Sequence, residues 1–378
     1  MTNAAYIHIP FCHHICHYCD FNKVFMKNQP VEQYLKCLDE EMGMAERNGG
    51  YKSIFVGGGT PTSLDAQQLF LLVESIGQRL PLLPDAEYTF EANPGDLTLE
   101  KMRILKEGGV NRLSIGVQSF NDAHLKRIGR THTKKDVLRT LHDAEKAGFD
   151  NLSIDLIYGL PEQTTDDAVD TVKQAVALGL PHYSAYSLII EPKTVFYNLM
   201  VKGKLPLPKE EAEAEMYEAV MQEMAAGGLY QYEISNFARP GFESRHNLTY
   251  WNNEEYYGFG AGAHGYVKGQ RYANFGPLKK YMEPINEGRW PRITSQQTTK
   301  QEQMEEEMFL GLRKTEGVSI SAFENKYSEN PLCFFKEAVE EMTGRGLLEI
   351  REDFIRLTHK GKFLGNEVFQ SFLIQPEI

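Results

Sequence analysis

Short apolar runs alternate with longer stretches of helical period through the first half of this chain, and no other feature restricts the fold as tightly. The runs "AYIHI", "YKSIFV", "EYTFEA", "RLSIGV", "LSIDLI" and "HYSAYSL" read as strands. Helix-patterned segments separate them near Val31 to Arg47, Asp65 to Arg79, Leu99 to Glu107, Lys135 to Ala147 and Asp166 to Leu178. Thr98 opens the third and Thr165 the fifth, where a hydroxyl can accept from a free backbone N–H. Six β-α repeats predict an α/β fold with a parallel sheet and outer helices, either doubly wound or a partial (β/α)6 barrel.

After Leu188 the alternation stops, and a loop leads into a long helix from about Lys209 to Ala226 whose exposed face carries several Glu residues. From roughly Thr298 the order is helix, helix, then "GLLEI" and "FIRLT" as short strands around a polar turn, which resembles a winged-helix unit. The length of 378 residues suits a barrel-sized unit with a smaller companion. The expected division is a partial barrel over 1–235, a connecting segment over 236–297 and the winged-helix-like domain over 298–378.

Charge removes one class of function. Lys and Arg total 40 against 52 Asp and Glu, a formal charge of −12, with no local basic run, so nucleic acid is a poor partner even for a winged-helix-like unit. No stretch approaches the roughly 20 apolar residues that cross a bilayer, and the N-terminus lacks a basic segment followed by an apolar run. A cytoplasmic location is expected. Five cysteines, of which Cys37 and Cys333 stand alone, make no paired disulfide framework, and those two read as ordinary buried thiols.

The other three are concentrated in "HIPFCHHICHYCDF", where Cys12, Cys16 and Cys19 follow C-x3-C-x2-C spacing. Thiolates select zinc or an iron-sulfur cluster. A structural zinc site wants four ligands, which His8, His13, His14 or His17 could complete. A cubane held by three cysteines leaves one iron open to a chelating amine and carboxylate.

Parallel α/β sheets collect functional groups at the C-terminal ends of their strands. Cys12 follows "YIHI", Gly57 to Thr60 follow "SIFV", Glu91 ends "YTFEA", Gln118 ends "SIGV" and Asp155 lies in "SIDLI". All five satisfy that rule. With C-x3-C-x2-C in the loop after the first of six β-α repeats, the chain resembles the radical S-adenosylmethionine (SAM) superfamily. The likeness is to the branch that holds the oxygen-independent coproporphyrinogen dehydrogenase and the haem chaperones of the HemW type.

The resemblance implies a partial (β/α)6 barrel and a 4Fe-4S cluster on Cys12, Cys16 and Cys19. It further implies SAM on the open iron, cleaved reductively to methionine and a 5′-deoxyadenosyl radical. Gly58, Gly59 and Thr60 of "GGGTPT" match the loop that meets the methionyl end, where glycine lets the backbone approach a ligand. Tyr18 matches a position against the adenine and Tyr6 a contact near the sulfonium, although either could be a core aromatic. Glu91, Gln118, Arg130 and Asp155 match the polar SAM contacts.

Two stretches separate the members of that branch. The dehydrogenase carries a further cysteine two residues after the third ligand, where this chain has Phe21, and a long N-terminal extension, whereas this chain starts close to its first strand. "HNLTYW", His246 to Trp251, matches the motif of the haem chaperones and implies haem binding by His246, Asn247, Tyr250 and Trp251. Without the match, a structural loop histidine is the commoner reading, and His264 is a second candidate ligand. "GAGAHG" at Gly260 to Gly265 fits G-x-G-x-x-G, but no apolar strand is expected before it and no dinucleotide is assigned.

The expected function is therefore haem binding and transfer to an acceptor haem protein. The acceptor implied by the resemblance is a membrane-bound respiratory protein, with transient membrane association, and a homodimer is compatible with it. The competing expectation is radical oxidative decarboxylation of coproporphyrinogen III.

Overall fold

The computed structural model describes residues 2–46 and 49–374. All six expected strands form: β1 (Ala4–Ile9), β2 (Tyr51–Gly58), β3 (Leu82–Ala92), β4 (Arg112–Gln118), β5 (Asn151–Tyr158) and β6 (His182–Ser187). They pair in parallel in chain order. Every residue of β4 is buried, as expected where helices cover one face and the barrel interior the other.

The crossover helices are Val31–Gly43, Ala66–Arg79, Leu99–Glu107, Lys134–Lys146 and Thr165–Ala177. The expected end of the first at Arg47 lies outside the described residues. Thr98 caps the third helix as expected. The cap of the fifth is Thr164 rather than Thr165, because its hydroxyl accepts from Asp167 N and Asp167 returns the bond in a capping box. A helix over Glu210–Ala226 follows the barrel.

Three further strands extend the sheet to nine. β7 (Tyr230–Glu233) and β8 (Asn236–Ala238) add an antiparallel edge beside β6. β9 (Tyr257–Phe259) pairs in parallel with the free edge of β1, Ala5 opposite Tyr257 and Ile7 opposite Phe259. A strand therefore does precede Gly260, contrary to the sequence reading. A second strand, His264–Val267, follows it in place of a helix, so the helix N-terminus that a dinucleotide phosphate needs is absent there.

Residues Met304 to Phe372 contribute a hydrophobic core of their own. It lies under helices that include Lys300–Gly311 and Ile320–Tyr327 and under a three-stranded antiparallel sheet of Val318–Ser319, Phe354–Leu357 and Leu348–Arg351. Cys37 is buried as expected, but Cys333 is exposed, on the outer side of the short helix Pro331–Phe334. Among the described residues no helix is long and apolar enough to cross a membrane.

Candidate functional site

The loop after β1 folds back over the C-terminal end of the sheet. Its backbone forms a two-residue parallel ladder, Phe11–Cys12 against Val24–Phe25. Asn22 fastens it from below, its Nδ2 donating to Ala261 O at 2.7 Å and to Gly276 O at 3.0 Å. Lys23 Nζ donates to Cys19 O.

Beneath this loop lies a cavity of about 240 Å³. Cys12, Cys16 and Cys19 all line it. Burial, followed by the hydrogen bond from Thr60 Oγ1 at 3.6 Å, sets the Cys12 thiol, which is pushed up to about 11. Burial also raises Cys19. Such thiols ionise readily only against a cation, which suits an iron cluster. Among the described residues, no three His, Cys, Asp or Glu side chains are gathered around one point, so a one-ion zinc site is not preformed.

The opposite wall carries the other expected residues. Gly58, Gly59, Thr60, Glu91, Gln118, Arg130, Asp155 and Tyr18 share the cavity. Gly58 has φ +112, and a Cβ there would lie 2.4 Å from the His8 ring. At Gly59 a Cβ would come within 2.9 Å of the backbone of Pro10 and Phe11. The glycines therefore bring the cavity floor against the cluster loop.

Several polar groups are oriented without partners. Gln118 holds φ 67, uncommon for a side-chain-bearing residue, and its Oε1 is buried with no hydrogen bond. Arg130 donates through Nη1 to Asn93 Oδ1 at 2.5 Å and through Nη2 to Tyr18 OH at 3.1 Å, while its Nε is buried and unpaired. Burial, and then the nearby Asp155, push the Glu91 carboxyl up to about 8. Glu91 Oε2 accepts from Gly58 N at 3.0 Å. Asp155 is also raised, first by burial, and accepts from Ser114 Oγ at 3.2 Å. Orphaned donors and acceptors facing buried carboxylates fit a ligand with amine, carboxylate and hydroxyl groups, as SAM has.

Asn93 was not foreseen. It lines the cavity and bridges Arg130 to Thr60, its Nδ2 donating to Thr60 Oγ1 at 3.0 Å. Its position two residues beyond Glu91, just after β3, satisfies the strand-end rule, so the signal was available.

Tyr6 does not line this cavity. It lies on the inward face of β1, its hydroxyl 3.0 Å from His8 Nδ1 and its ring stacked on Phe55. There it borders a second groove with Phe21, Tyr250, Tyr256 and His264. Phe21 lines both spaces and is 58% exposed.

"HNLTYW" is helical rather than a loop, in the helix Arg245–Trp251. Glu87 supplies a distant cap, its carboxylate accepting from Arg245 N at 2.9 Å, His246 N at 3.1 Å and Ser244 Oγ at 3.3 Å. His246 is 1% exposed and points into the barrel. Its Nδ1 lies 3.0 Å from Ser53 Oγ, its Nε2 2.8 Å from Tyr250 OH, and its ring stacks on Phe55 at 5.3 Å. Burial, then Arg112 and Lys52, lower it to about 3, so the imidazole is neutral. Both ring nitrogens are engaged. His246 and Tyr250 share one helix face, whereas Trp251 turns toward the C-terminal core beneath the Arg313 guanidinium at 5.2 Å. His246, Tyr250 and Trp251 therefore do not converge on a single surface.

A model of the radical SAM superfamily matches residues 6–175, and one of the HemN C-terminal domain matches residues 298–364. The chain is 54% identical over 374 residues to the haem chaperone HemW of Bacillus subtilis, covering 98% of this chain and 99% of that one. It is 48% identical to the haem chaperone HemW of Lactococcus lactis, covering 98% and 97%. It is 34% identical to the haem chaperone HemW of Escherichia coli, covering 98% of each. Among solved structures, coproporphyrinogen III oxidase (HemN) from Escherichia coli, a radical SAM enzyme, superposes with a TM-score of 0.85 at 25% identity, over 98% of this chain and 90% of that one.

Proposed function

This chain belongs to the HemW family, and from that membership we propose that it is a haem chaperone which binds haem and delivers it to an acceptor protein. The observation that carries the proposal is the near full-length match to HemW chains, spanning both the barrel and the C-terminal domain. The acceptor inferred from the family resemblance is a membrane-bound respiratory haem protein, met from the cytoplasm.

Within the barrel, Cys12, Cys16 and Cys19 would hold a 4Fe-4S cluster, and Gly58, Gly59, Thr60, Glu91, Gln118, Arg130 and Asp155 would hold SAM. Together those groups supply one-electron reductive cleavage of the sulfonium when bound. The protein's part is binding and orientation. The glycine turn lets a ligand lie against the sheet end, and the unpaired Nε of Arg130 and Oε1 of Gln118 offer it a donor and an acceptor. Glu91, near neutrality in the physiological range, can hold or release a proton as its partner's charge changes.

The likeness to HemN favours a second reading, oxidative decarboxylation of a porphyrinogen at the same cluster. Anaerobic incubation of the cluster-loaded protein with SAM and coproporphyrinogen III separates the two. The expected result is no protoporphyrinogen, together with stoichiometric haem binding and transfer to an apo acceptor. Product formation would put the enzymatic reading first.

A further inference from the structure

We propose that His264 is the protein ligand to haem iron, and that His246 positions the groove wall instead of binding the metal; this rests on the haem-chaperone reading above. An axial imidazole must present a nitrogen lone pair to a ligand arriving from solvent. Of the chain's 11 histidines, several are closed off. His8, His182 and His246 are buried with both ring nitrogens hydrogen-bonded. His132 is buried against Val117 O, and buried His124 faces Asp167. Half-buried His17 bonds to Arg127 O. Exposed His359 pairs with Glu218, and exposed His142 lies on the outer helix Lys134–Lys146.

His13, His14 and His264 remain. His13 and His14 both lie on the cluster loop between Cys12 and Cys16; His14 lines the cluster cavity, where a porphyrin would compete with SAM, and neither borders the aromatic groove. His264 is exposed, its ring makes no hydrogen bond, and it borders the separate groove of about 250 Å³ with Tyr6, Phe21, Tyr250 and Tyr256. A groove of that size accepts an edge of the macrocycle, and exposed Phe21 extends the apolar surface beyond it.

The backbone holds His264 in register. Its carbonyl oxygen lies against Gly258, where a Cβ would sit 1.8 Å away, and His264 pairs with Ala273 in the adjoining ladder. Across the groove Tyr250 meets Tyr256 edge-on at 4.6 Å, with its hydroxyl held by His246 Nε2. His246 thereby fixes the aromatic wall, and His264 supplies the free nitrogen.

The test uses full-length protein with its cluster reconstituted anaerobically and titrated with haemin, read by Soret absorption and electron paramagnetic resonance. His264→Ala is expected to lose the imidazole-ligation signature and weaken binding by about tenfold or more, with free imidazole restoring the spectrum. His246→Gln should keep the signature while affinity falls. Circular dichroism and iron content report folding and cluster loading in each variant. An unchanged spectrum in His264→Ala, or loss of ligation in His14→Ala alone, overturns the assignment while leaving the chaperone reading intact. Absence of haem binding by the wild-type protein defeats the chaperone reading and this assignment with it.

Discussion

Arg130 reaches the Tyr18 hydroxyl at 3.1 Å, joining the loop after β4 to the residue between two cluster cysteines. This bond ties the expected SAM pocket to the cluster loop. Arg130→Ala is expected to weaken SAM binding by roughly 1.5–3 kcal/mol, the range for a lost hydrogen bond to a charged group. Calorimetric titration of cluster-loaded protein measures it, and wild-type affinity in the variant would remove Arg130 from the binding set.

Cys16→Ala should leave no stable cluster, since only two thiolates would then hold it. Cys37→Ser and Cys333→Ser should retain full iron content, because Cys37 is buried behind the sheet and Cys333 lies on the surface of the other domain. Iron and sulfide analysis after anaerobic reconstitution decides. Normal loading in the Cys16 variant would contradict the ligand assignment.

The Glu91 carboxyl has a definite pH signature in the ligand-free protein. Its value rises from 4.5 to about 8 on folding, chiefly through burial and then through Asp155. A raised value means the folded state holds the proton more tightly. That contribution is full below 4.5 and is lost as pH rises through about 8. Glu91→Gln, which cannot ionise, should flatten part of the fall in thermal midpoint across this window; Glu41 and Glu233, each raised by burial to about 7, account for more of it. Identical profiles for variant and wild type would show that Glu91 is not charged against its surroundings.

Tyr250→Phe removes the hydroxyl that engages His246 Nε2 at 2.8 Å, leaving a buried ring nitrogen unpaired. The expected cost is about 1–3 kcal/mol, seen as a lower midpoint in urea unfolding. An unchanged midpoint would mean that the bond does not brace the helix.

The repeating part of the fold was legible because each strand and its crossover helix are contiguous in sequence. So was most of the cavity, since strand ends carry it. The missed strand has a clear physical cause, which is dependence on a partner far along the chain. Tyr257–Phe259 has three residues and becomes a strand only by pairing with β1, some 250 residues earlier. The helix of His246 carried a local signal that was overlooked, Ser244, whose Oγ accepts from Asn247 N, and Glu87, 159 positions from His246, adds a second acceptor. Tyr6 shares the inward face of β1 with His8, but its ring is stacked on Phe55 and its hydroxyl reaches His8 Nδ1, which places it at the second groove.

The anchoring of the cluster loop by Ala261 and Gly276 also bears on how the protein is made. During synthesis the cysteines emerge long before the segment that pins their loop, which follows the six barrel strands in the chain. Until then β1 has an unpaired edge, and the loop is held only from within the barrel, by His8 Nε2 on Asn22 O and by Arg130 on the Tyr18 hydroxyl. A nascent chain would therefore carry a loop gripped on one side only, and a product truncated ahead of Gly276 should keep its sheet while its cluster loop is less firmly held.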